Sequence, residues 1–514
     1  MRPQRRGLAH LCNRRSAASL VEFAPMLFNS FQFLIFFQVV TLLYFLLPHR
    51  HRWRMLLIAS CYFYMTFIPE YIAILGGTIS IDYVGGIWLE KPGLSHRQRR
   101  SILTVSILST CLVLFIFKYF NFFNTNFAEL AALLHWNYPI AALKLALPIG
   151  LSFHTFQSLS YVIEVYRGRQ KAEHHFGIYS LYVMFYPQLV AGPIERPQNL
   201  LHQFYARHSF DYGQVTDGLK LMIWGLFKKV VIADRIAIAV STVYGDPREF
   251  TGLPLIIATV FFAFQIYCDF SGYSDIAIGA AQVMGFRLMD NFNRPYFSKS
   301  IAEFWKRWHI SLSTWFRDYL YIPLGGNRAK TWRWQYNLFV TFLVSGLWHG
   351  ANWTYIIWGA LNGFYLLSSI WTQKLRQAVC HLTTLDRHPT LHKYVKIAAT
   401  FSLVCIAWIF FRARNFDDAW YVLTHVPQGV VMQVLHHREN AYKFDIGMSH
   451  ADLIVAFVAI IMMESLHAIQ RHRGIRHMLA ERPIWMRWTV YYALILGIIF
   501  FGVFEQRSFI YFQF

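Results

Sequence analysis

The sequence predicts an all-α polytopic membrane protein, from two features of its composition and one of its charge pattern. Hydrophobic residues make up 56% of the 514 residues and charged residues only 15%, whereas charged residues are about 25% of a typical soluble domain. Several apolar runs reach the roughly 20 residues that a helix needs to cross the hydrocarbon core. Lys and Arg are concentrated in short segments between those runs, as in the cytoplasmic loops of membrane proteins. We therefore expect about 11–13 spanning or re-entrant helices.

The net charge of +21, from 48 Lys and Arg against 27 Asp and Glu, does not indicate a nucleic-acid-binding protein. The basic clusters lie between apolar runs, at residues 49–54, 97–100, 228–229, 327–330 and 471–476. No recognisable nucleic-acid-binding module accompanies them, so we expect membrane lipid and no nucleic acid as a partner. The six cysteines form no CxxC pair, and the sequence predicts neither a disulfide framework nor a metal site.

The apolar runs place the spans along the chain. Clear spans are expected at about 27–47, 101–120, 176–192, 218–240, 252–270, 336–349, 353–371, 394–411, 450–467 and 485–504. The weaker stretches 55–69 and 71–89 fit a helical hairpin, and 139–162 is apolar but contains Pro148 and Gly150. The polar stretch 412–448 is expected to be a partly amphipathic helix outside the membrane or a loop.

Lys and Arg also predict the orientation of the chain. The basic loops at 49–54 and 91–100 are expected on the cytoplasmic side. Residues 121–138 contain no Lys or Arg, as expected of a loop on the outside. With Met26 as the start, the N-terminus would lie outside.

Residues 1–25 conflict with that orientation. They contain five arginines and one acidic residue, and such a tail would draw the start of the first span into the cytoplasm. We therefore expect residues 1–25 to be a basic extension that is disordered or absent from the functional protein. Residues 26–514 are expected to form the transmembrane domain.

Residues 286–335 are rich in charge and tryptophan although they lie between apolar runs. On a helix that starts near Ser300, residues four apart share one face. That face would carry Trp305, His309, Ser313 and Arg317. It fits the wall of a polar tunnel, because ionisable groups at membrane depth face a cavity or one another. The alternative is an amphipathic helix at the interface, with its tryptophans at headgroup level.

A second group of polar residues closes the uncharged run 336–347. His349 lies about 15 residues beyond the basic loop that ends near Arg333, which is roughly 22 Å along a helix. It should therefore lie deep, in the outer half of the bilayer. Gly346 and Gly350 flank it and would let a substrate approach the imidazole. A buried histidine with a purely structural hydrogen bond remains the alternative to a catalytic one.

Several of these segments resemble the signature motifs of the membrane-bound O-acyltransferase (MBOAT) family. The first motif corresponds to residues 304–319 and 321–328, and the second to residues 346–353. Residues 185–196 and 267–275 are similar as well, and the likeness runs from about Met26 to the end. The bacterial branch that acetylates alginate, cellulose and peptidoglycan fits best. The branch that transfers D-alanine to teichoic acid is a poorer match around residues 323–328.

The resemblance implies a helical domain around a central tunnel, with His349 as the catalytic histidine and His309 as a second tunnel histidine. Further substrate-binding or tunnel-lining candidates are Trp305, Lys306, Ser313, Arg317, Asp318, Trp348 and Asn352. A histidine suits this chemistry, since acyl transfer to a hydroxyl needs a base near neutral pH. Arg317 or Lys306 would hold an anionic group of the donor. Trp348 or Asn352 would donate to the developing oxyanion.

These observations predict an O-acyltransferase in the bacterial inner membrane. It would move acetyl groups from a cytosolic thioester, such as acetyl-CoA, to a periplasmic acetyltransferase partner protein or to an exopolysaccharide hydroxyl, as in alginate acetylation. We expect no bound cofactor and direct transfer without an acyl-enzyme. One alternative is D-alanyl or other acyl transfer to a cell-envelope polymer. Another is a transporter whose intramembrane charges line a pathway, but no inverted repeat is visible.

Overall fold

The computed structural model describes residues 25–435, 445–470, 481–505 and 509–510. Within these ranges all regular structure is helical, with α-helices joined by short 3-10 and π-helical segments and no strand. The prediction of an all-α fold is confirmed. The prediction of a disordered or absent extension concerns residues that, apart from Pro25, lie outside the described part of the chain.

The α-helices follow one another with short connections. In the first half they are α1 (Phe31–Leu46), α2 (His49–Met65), α3 (Tyr71–Glu90), α4 (His96–Leu114), α5 (Phe120–Leu133), α6 (Leu151–Tyr166), α7 (Phe176–Met184), α8 (Pro197–Leu200), α9 (Tyr212–Leu226) and α10 (Asp234–Gly245). In the second half they are α11 (Leu253–Val283), α12 (Ile301–Trp305), α13 (Ile310–Phe316), α14 (Thr331–His349), α15 (Trp353–Trp371), α16 (Gln373–Leu382), α17 (Pro389–Arg412), α18 (Phe416–Leu435), α19 (His450–Ile469) and α20 (Ile484–Phe501).

Six helical regions in the described ranges are long and apolar enough to cross a membrane. They are α3, the continuous 38-residue helix formed by α4 and α5, the 31-residue α11, α17, α19 and α20. The shorter α1 is apolar as well. Large apolar side chains are exposed on the outer helices, as expected of surfaces that face lipid tails: Phe31 and Leu42 on α1, Ile454 on α19, and Phe500 on α20. The chain is a multi-pass membrane protein.

The span expected at 176–192 is wrong. Helix α7 ends at Met184, and its 9 residues extend only about 14 Å. The cause is local, because Phe185 leaves the helical conformation with φ −52° and ψ 111° and Pro187 has no backbone N–H to continue the helical hydrogen bonds. Phe185 and Tyr186 are nevertheless fully buried. The protein interior thus shields this irregular backbone from lipid.

Helices α9 and α11 pack closely because glycines face one another at two levels. A Cβ atom on Gly225 would lie 2.5 Å from the carbonyl oxygen of Gly272, and one on Gly279 would lie 2.5 Å from that of Gly218. Small residues at such crossings let two membrane helices approach closely.

Three π-helical segments interrupt helical regions of the described chain, at Phe115–Tyr119, Phe227–Ala233 and Arg317–Tyr321. Each contains a basic residue: Lys118 in the first, Lys228 and Lys229 in the second, and Arg317 in the third. The π-helix is rare and is frequently found at functional sites.

The buried lysines of the second π-helical segment are paired with carboxylates. Lys228 lies 2.8 Å from Asp275, and Lys229 lies 2.8 Å from Asp234 and 2.9 Å from Asp269. Asp269 also accepts a hydrogen bond from the backbone N–H of Ile510. The acids at the end of the predicted span 252–270 therefore neutralise buried lysines and fasten the C-terminal residues.

Candidate active site

A break between α12 and α13 positions His309. This residue has a left-handed backbone conformation, with φ 44° and ψ 56°, so the continuous helix expected from Ser300 is wrong. For a residue with a Cβ atom that conformation costs about 1–2 kcal/mol. Hydrogen bonds hold the backbone around it, since Ile310 N–H donates to the carbonyl oxygen of Asn291 and Asn293 N–H to that of Arg307, both at 2.9 Å. The break leaves the His309 side chain fully buried.

Asn291 fixes the proton on the His309 ring. The Nδ1 atom of His309 lies 3.0 Å from Oδ1 of Asn291. The same oxygen accepts hydrogen bonds from the backbone N–H and the hydroxyl of Ser311, at 3.3 and 2.9 Å. Because a backbone N–H only donates, this amide oxygen is the acceptor, and Nδ1 of His309 carries the proton. The neutral ring therefore has Nε2 as its acceptor nitrogen.

Neighbouring elements hold Asn291 in turn. Its Nδ2 atom donates to the hydroxyl of Ser274 on α11 at 3.1 Å. Two residues earlier, Met289 N–H donates to the buried carboxylate of Glu195, which also accepts from Asn199. Glu195 thus joins the segment before α8 to the segment that carries Asn291.

His349 is the last residue of α14 and lies among aromatic rings. Its imidazole is 4.8 Å from the ring of Trp348, 4.9 Å from that of Trp358 on α15, and 5.3 Å from that of Phe411 on α17, between ring centres. The side chain is buried, with 4% of its surface exposed. Aromatic contacts from three helices therefore set the plane of the ring.

Glycines bring α14 against α15. A Cβ atom on Gly346 would collide with the carbonyl oxygen of Tyr355, and one on Gly359 would collide with that of Phe342. Close backbone approach of this kind requires glycine or another small residue. The close packing of α14 and α15 therefore fixes the position of His349, the last residue of α14.

The structure brings His309 and His349 into one site through Trp348. The centre of the Trp348 ring lies 6.4 Å from that of His309 and 4.8 Å from that of His349. Phe153 on α6 contacts both His309 and Trp348, with ring centres 6.2 and 5.7 Å away. Trp348 thus links the two imidazoles, while their joint action on one substrate and the tunnel between the two faces of the membrane stay predictions.

Trp305 and Trp348 belong to the same aromatic region. The indole N–H of Trp305 donates to Oδ1 of Asn362 at 3.2 Å, and its ring lies 5.6 Å from that of Trp358. Trp348 stacks on Phe156 at 5.1 Å. The buried indole N–H of Trp348 has no hydrogen-bond partner in the described part of the chain, which makes it a donor available to a substrate.

The charged residues of the first motif lie away from the imidazoles, towards the surface. Lys306 is exposed. Arg317 is exposed and donates to the carboxylate of Asp318 at 2.7 Å, and this hydrogen bond raises the pKa of the Arg317 guanidinium. Asp318 also lies 3.7 Å from Arg196. The guanidinium groups of Arg196 and Arg167 lie 4.9 and 5.1 Å from the centre of the neighbouring Tyr319 ring. Three arginines thus lie beside α13 with two carboxylates among them, since Asp318 pairs with Arg196 and Arg317 and Glu164 lies 3.0 Å from Arg167.

Ser313 and Asn352 bond to neighbouring backbone. The hydroxyl of Ser313 donates to the carbonyl oxygen of Trp308 at 3.1 Å. Asn352 is the N-cap of α15, with Oδ1 accepting from Thr354 N–H at 3.0 Å. Its Nδ2 atom donates to the carbonyl oxygen of Arg414, also at 3.0 Å. These contacts fix local turns on both sides of the site, and substrate contacts by either side chain stay a prediction.

Two residues of the site were missed in the sequence. Lys118 donates to the carbonyl oxygens of Trp348 and His349. It is the only charged residue from Ser101 to Ala128, and a lone charge inside a span indicates a functional site. Asn291 gave no comparable signal, because an amide in a polar segment is ordinary and only the fold places it against His309.

Comparisons with known proteins find one matching family model and several relatives. A model of the membrane-bound O-acyltransferase family matches residues 168–411, a range that contains both histidines. The probable alginate O-acetylase AlgI of Pseudomonas aeruginosa is 41% identical over 397 residues, covering 77% of this chain and 74% of that protein. The peptidoglycan O-acetyltransferase of Helicobacter pylori is 31% identical over 549 residues, covering 97% of this chain and 99% of that protein. The teichoic acid D-alanyltransferase of Streptococcus thermophilus is 27% identical over 293 residues, covering 53% of this chain and 70% of that protein.

Proposed function

The chain belongs to the membrane-bound O-acyltransferase family, and from that premise we propose that it moves acetyl groups from a cytosolic thioester to hydroxyls outside the inner membrane. The acceptor is an exopolysaccharide such as alginate, or a periplasmic partner protein that passes the acetyl group on. Two relatives whose names state O-acetyl transfer support acetate as the cargo, at 41% and 31% identity. The observation that carries the proposal is the meeting of His309 and His349 at Trp348 in the buried interior.

His349 acts as the general base in this proposal. Its imidazole takes the proton from the acceptor hydroxyl as that oxygen attacks the carbonyl carbon of the thioester. A tetrahedral intermediate forms, the carbon–sulfur bond breaks, and the thiolate leaves with the proton that the imidazolium returns. His309 offers an acceptor nitrogen at Nε2, and we assign it to orient the acceptor hydroxyl beside His349.

Trp348 supplies the donor for the oxyanion. The thioester oxygen gains negative charge in the tetrahedral intermediate, and a preorganised N–H in a dry site stabilises that charge strongly. The indole N–H of Trp348 is buried and has no partner in the described residues, and the ring that carries it contacts both imidazoles. Asn352 is a weaker candidate, since its amide already caps α15 and bonds to Arg414.

The three-arginine cluster of Arg167, Arg196 and Arg317 is the proposed site for the anionic group of the donor. Arg167 follows α6 at the end that the charge pattern predicts to be cytosolic. A guanidinium binds phosphate in a fixed geometry, so the cluster fits the phosphate groups of an acyl thioester such as acetyl-CoA. The donor would then enter from the cytosol with its acetyl end directed to the histidines.

The test is the acetyl content of exopolysaccharide from cells that produce the His349→Ala variant. Membrane abundance is matched to wild type by immunoblot. The exposed His381 on α16 provides the control variant His381→Ala, which should acetylate normally. Loss of acetylation in His349→Ala alone supports the proposal, and normal acetylation in that variant rejects it.

D-alanyl transfer is a second candidate, because a named D-alanyltransferase is similar over 53% of the chain. It requires a carrier protein that delivers the aminoacyl thioester to the cytosolic face. Mass spectrometry of the modified polymer separates the two functions, since acetyl and D-alanyl esters differ in mass and only the latter carries an amine.

A further inference from the structure

Lys118 lies inside a long apolar helix yet reaches the candidate site. It belongs to the π-helical segment Phe115–Tyr119 that joins α4 to α5. No other charged residue occurs between positions 101 and 128. Ionisable groups at such a depth are costly and are retained for a function.

The ammonium group of Lys118 binds the backbone of the second motif. Its Nζ atom donates to the carbonyl oxygen of Trp348 at 2.7 Å and to that of His349 at 3.0 Å. It also lies 5.7 Å from the centre of the Trp348 ring, within the range of a cation–π interaction. One side chain therefore holds the two residues that the acyl-transfer proposal uses as oxyanion donor and base.

These carbonyls belong to the end of α14, where the helix supplies no donor for them. The last four carbonyl groups of a helix lack partners within it. Gly350 continues in an extended conformation, with φ −163° and ψ 150°, so the chain leaves the helix at once. A cation at this end also favours the negative pole of the helix dipole. Lys118 is thus a C-terminal cap donated by a different helix.

We propose that Lys118 is a positioning residue that fixes Trp348 and His349 for acyl transfer, an inference that rests on the proposed function. Lys118 touches the backbone of these residues and not the reacting atoms. Without it, both carbonyls lose their donor and the end of α14 is free to shift. A displacement of about 1 Å at a reacting group lowers a rate about 10²-fold.

The matched variants are Lys118→Met, which keeps the length but removes donors and charge, and Lys118→Arg, which keeps both. The control is Asn126→Ala on α5, because Asn126 accepts from the indole N–H of Trp353, beside the same turn, at 2.9 Å. Inside-out membrane vesicles are loaded with deacetylated exopolysaccharide, so that the acceptor lies in the lumen, and radiolabelled acetyl-CoA is added outside over a range of concentrations. The initial rate is divided by the amount of folded enzyme.

Lys118→Met should lower kcat about 10²-fold, with KM for acetyl-CoA within about threefold and an unchanged melting temperature. Lys118→Arg should recover at least about a tenth of the wild-type kcat, and Asn126→Ala should be within about twofold of wild type. A purely structural lysine would instead lower the amount and melting temperature of the enzyme, with kcat per folded molecule unchanged, and that result overturns the proposal. If Lys118→Met is not recovered in membranes, Lys118→Gln is judged by the same criteria.

His349→Ala is measured in the same vesicles, because this variant distinguishes a failure of the positioning role from a failure of the proposed function. Loss of transfer in His349→Ala with a wild-type kcat in Lys118→Met overturns the positioning role alone. Unchanged transfer in His349→Ala overturns the proposed function, and with it the role of Lys118 in that function.

Discussion

His309 and His349 lie at one site, yet different kinds of contact hold them. The ring of His309 is fixed by hydrogen bonds, from Nδ1 to Asn291 and from Asn291 onward to Ser311 and Ser274. The ring of His349 is fixed by aromatic neighbours, and its backbone by Lys118. Irregular backbone surrounds the first histidine, whereas the second ends a regular helix.

In the proposed mechanism the two histidines have different tasks. A hydrogen bond to Nδ1 selects one tautomer and leaves His309 a fixed acceptor at Nε2. Aromatic contacts set the plane of the His349 ring, and in the proposed mechanism this ring gains and loses a proton. The two regions should therefore respond differently to substitution.

Apart from substitution of the histidines themselves, the largest effect should come from Trp348, which contacts both histidines. Trp348→Phe keeps an aromatic ring but removes the indole N–H, and loss of one oxyanion donor lowers kcat about 10²- to 10³-fold. Trp305→Phe is the control, since its N–H is already bonded to Asn362. Vesicle assays with acetyl-CoA measure both variants, and equal rates in the two would contradict the oxyanion role.

Substitution of Asn291 should lower kcat by a smaller factor, because Asn291 acts on the reaction through the His309 ring. Asn291→Ala removes the acceptor that holds the Nδ1 proton, so the ring is no longer held in one tautomer, and we expect kcat to fall about 10-fold. Asn337→Ala removes another buried amide, one that bonds to Leu324 and Gly326 outside the site. An equal loss of kcat per folded molecule in Asn291→Ala and Asn337→Ala would contradict a specific role of Asn291.

Gly346 should affect stability more than chemistry. Gly346→Ala places a methyl group against the carbonyl oxygen of Tyr355, and overpacking of this kind costs about 1–3 kcal/mol. Gly497→Ala on α20 has nothing within 4 Å of the added atom and serves as the control. Thermal unfolding in detergent is the measurement. An unchanged melting temperature in Gly346→Ala would show that α14 and α15 are less closely packed than described.

The smallest effect should be at the arginine cluster, outside both histidine regions. Arg196→Gln removes a guanidinium near Asp318, so KM for acetyl-CoA should rise about fivefold to 10-fold while kcat changes little. The exposed Arg328 supplies the control Arg328→Gln. A fall in kcat without any change in KM would place Arg196 with the chemistry instead of donor binding.

Much of the fold was predictable because membrane insertion imposes long apolar runs. The spans expected at 353–371, 394–411 and 450–467 match α15, α17 and α19 within a few residues. The failures have local causes. Pro187 ends the helical run at α7, and the left-handed His309 divides the helix expected from Ser300.

Both histidines of the candidate site stood out in the sequence, whereas the residues that hold them did not. Hydropathy placed His349 at the end of a span, where the structure has the terminus of α14. The contacts of Asn291 and Lys118 join residues 18 and 231 positions apart. No helical or strand period relates residues so distant, and only tertiary packing brings them together.

The most direct test of the central claim is a double-variant cycle on the two histidines. Acetyl transfer per folded molecule is measured in His309→Ala, His349→Ala and the double variant. Because both rings are placed in one reaction step, we expect His349→Ala to be about 10³-fold slower than wild type and the double variant to be only slightly slower still. Losses that multiply in the double variant, or a wild-type rate in His349→Ala, would contradict a shared site.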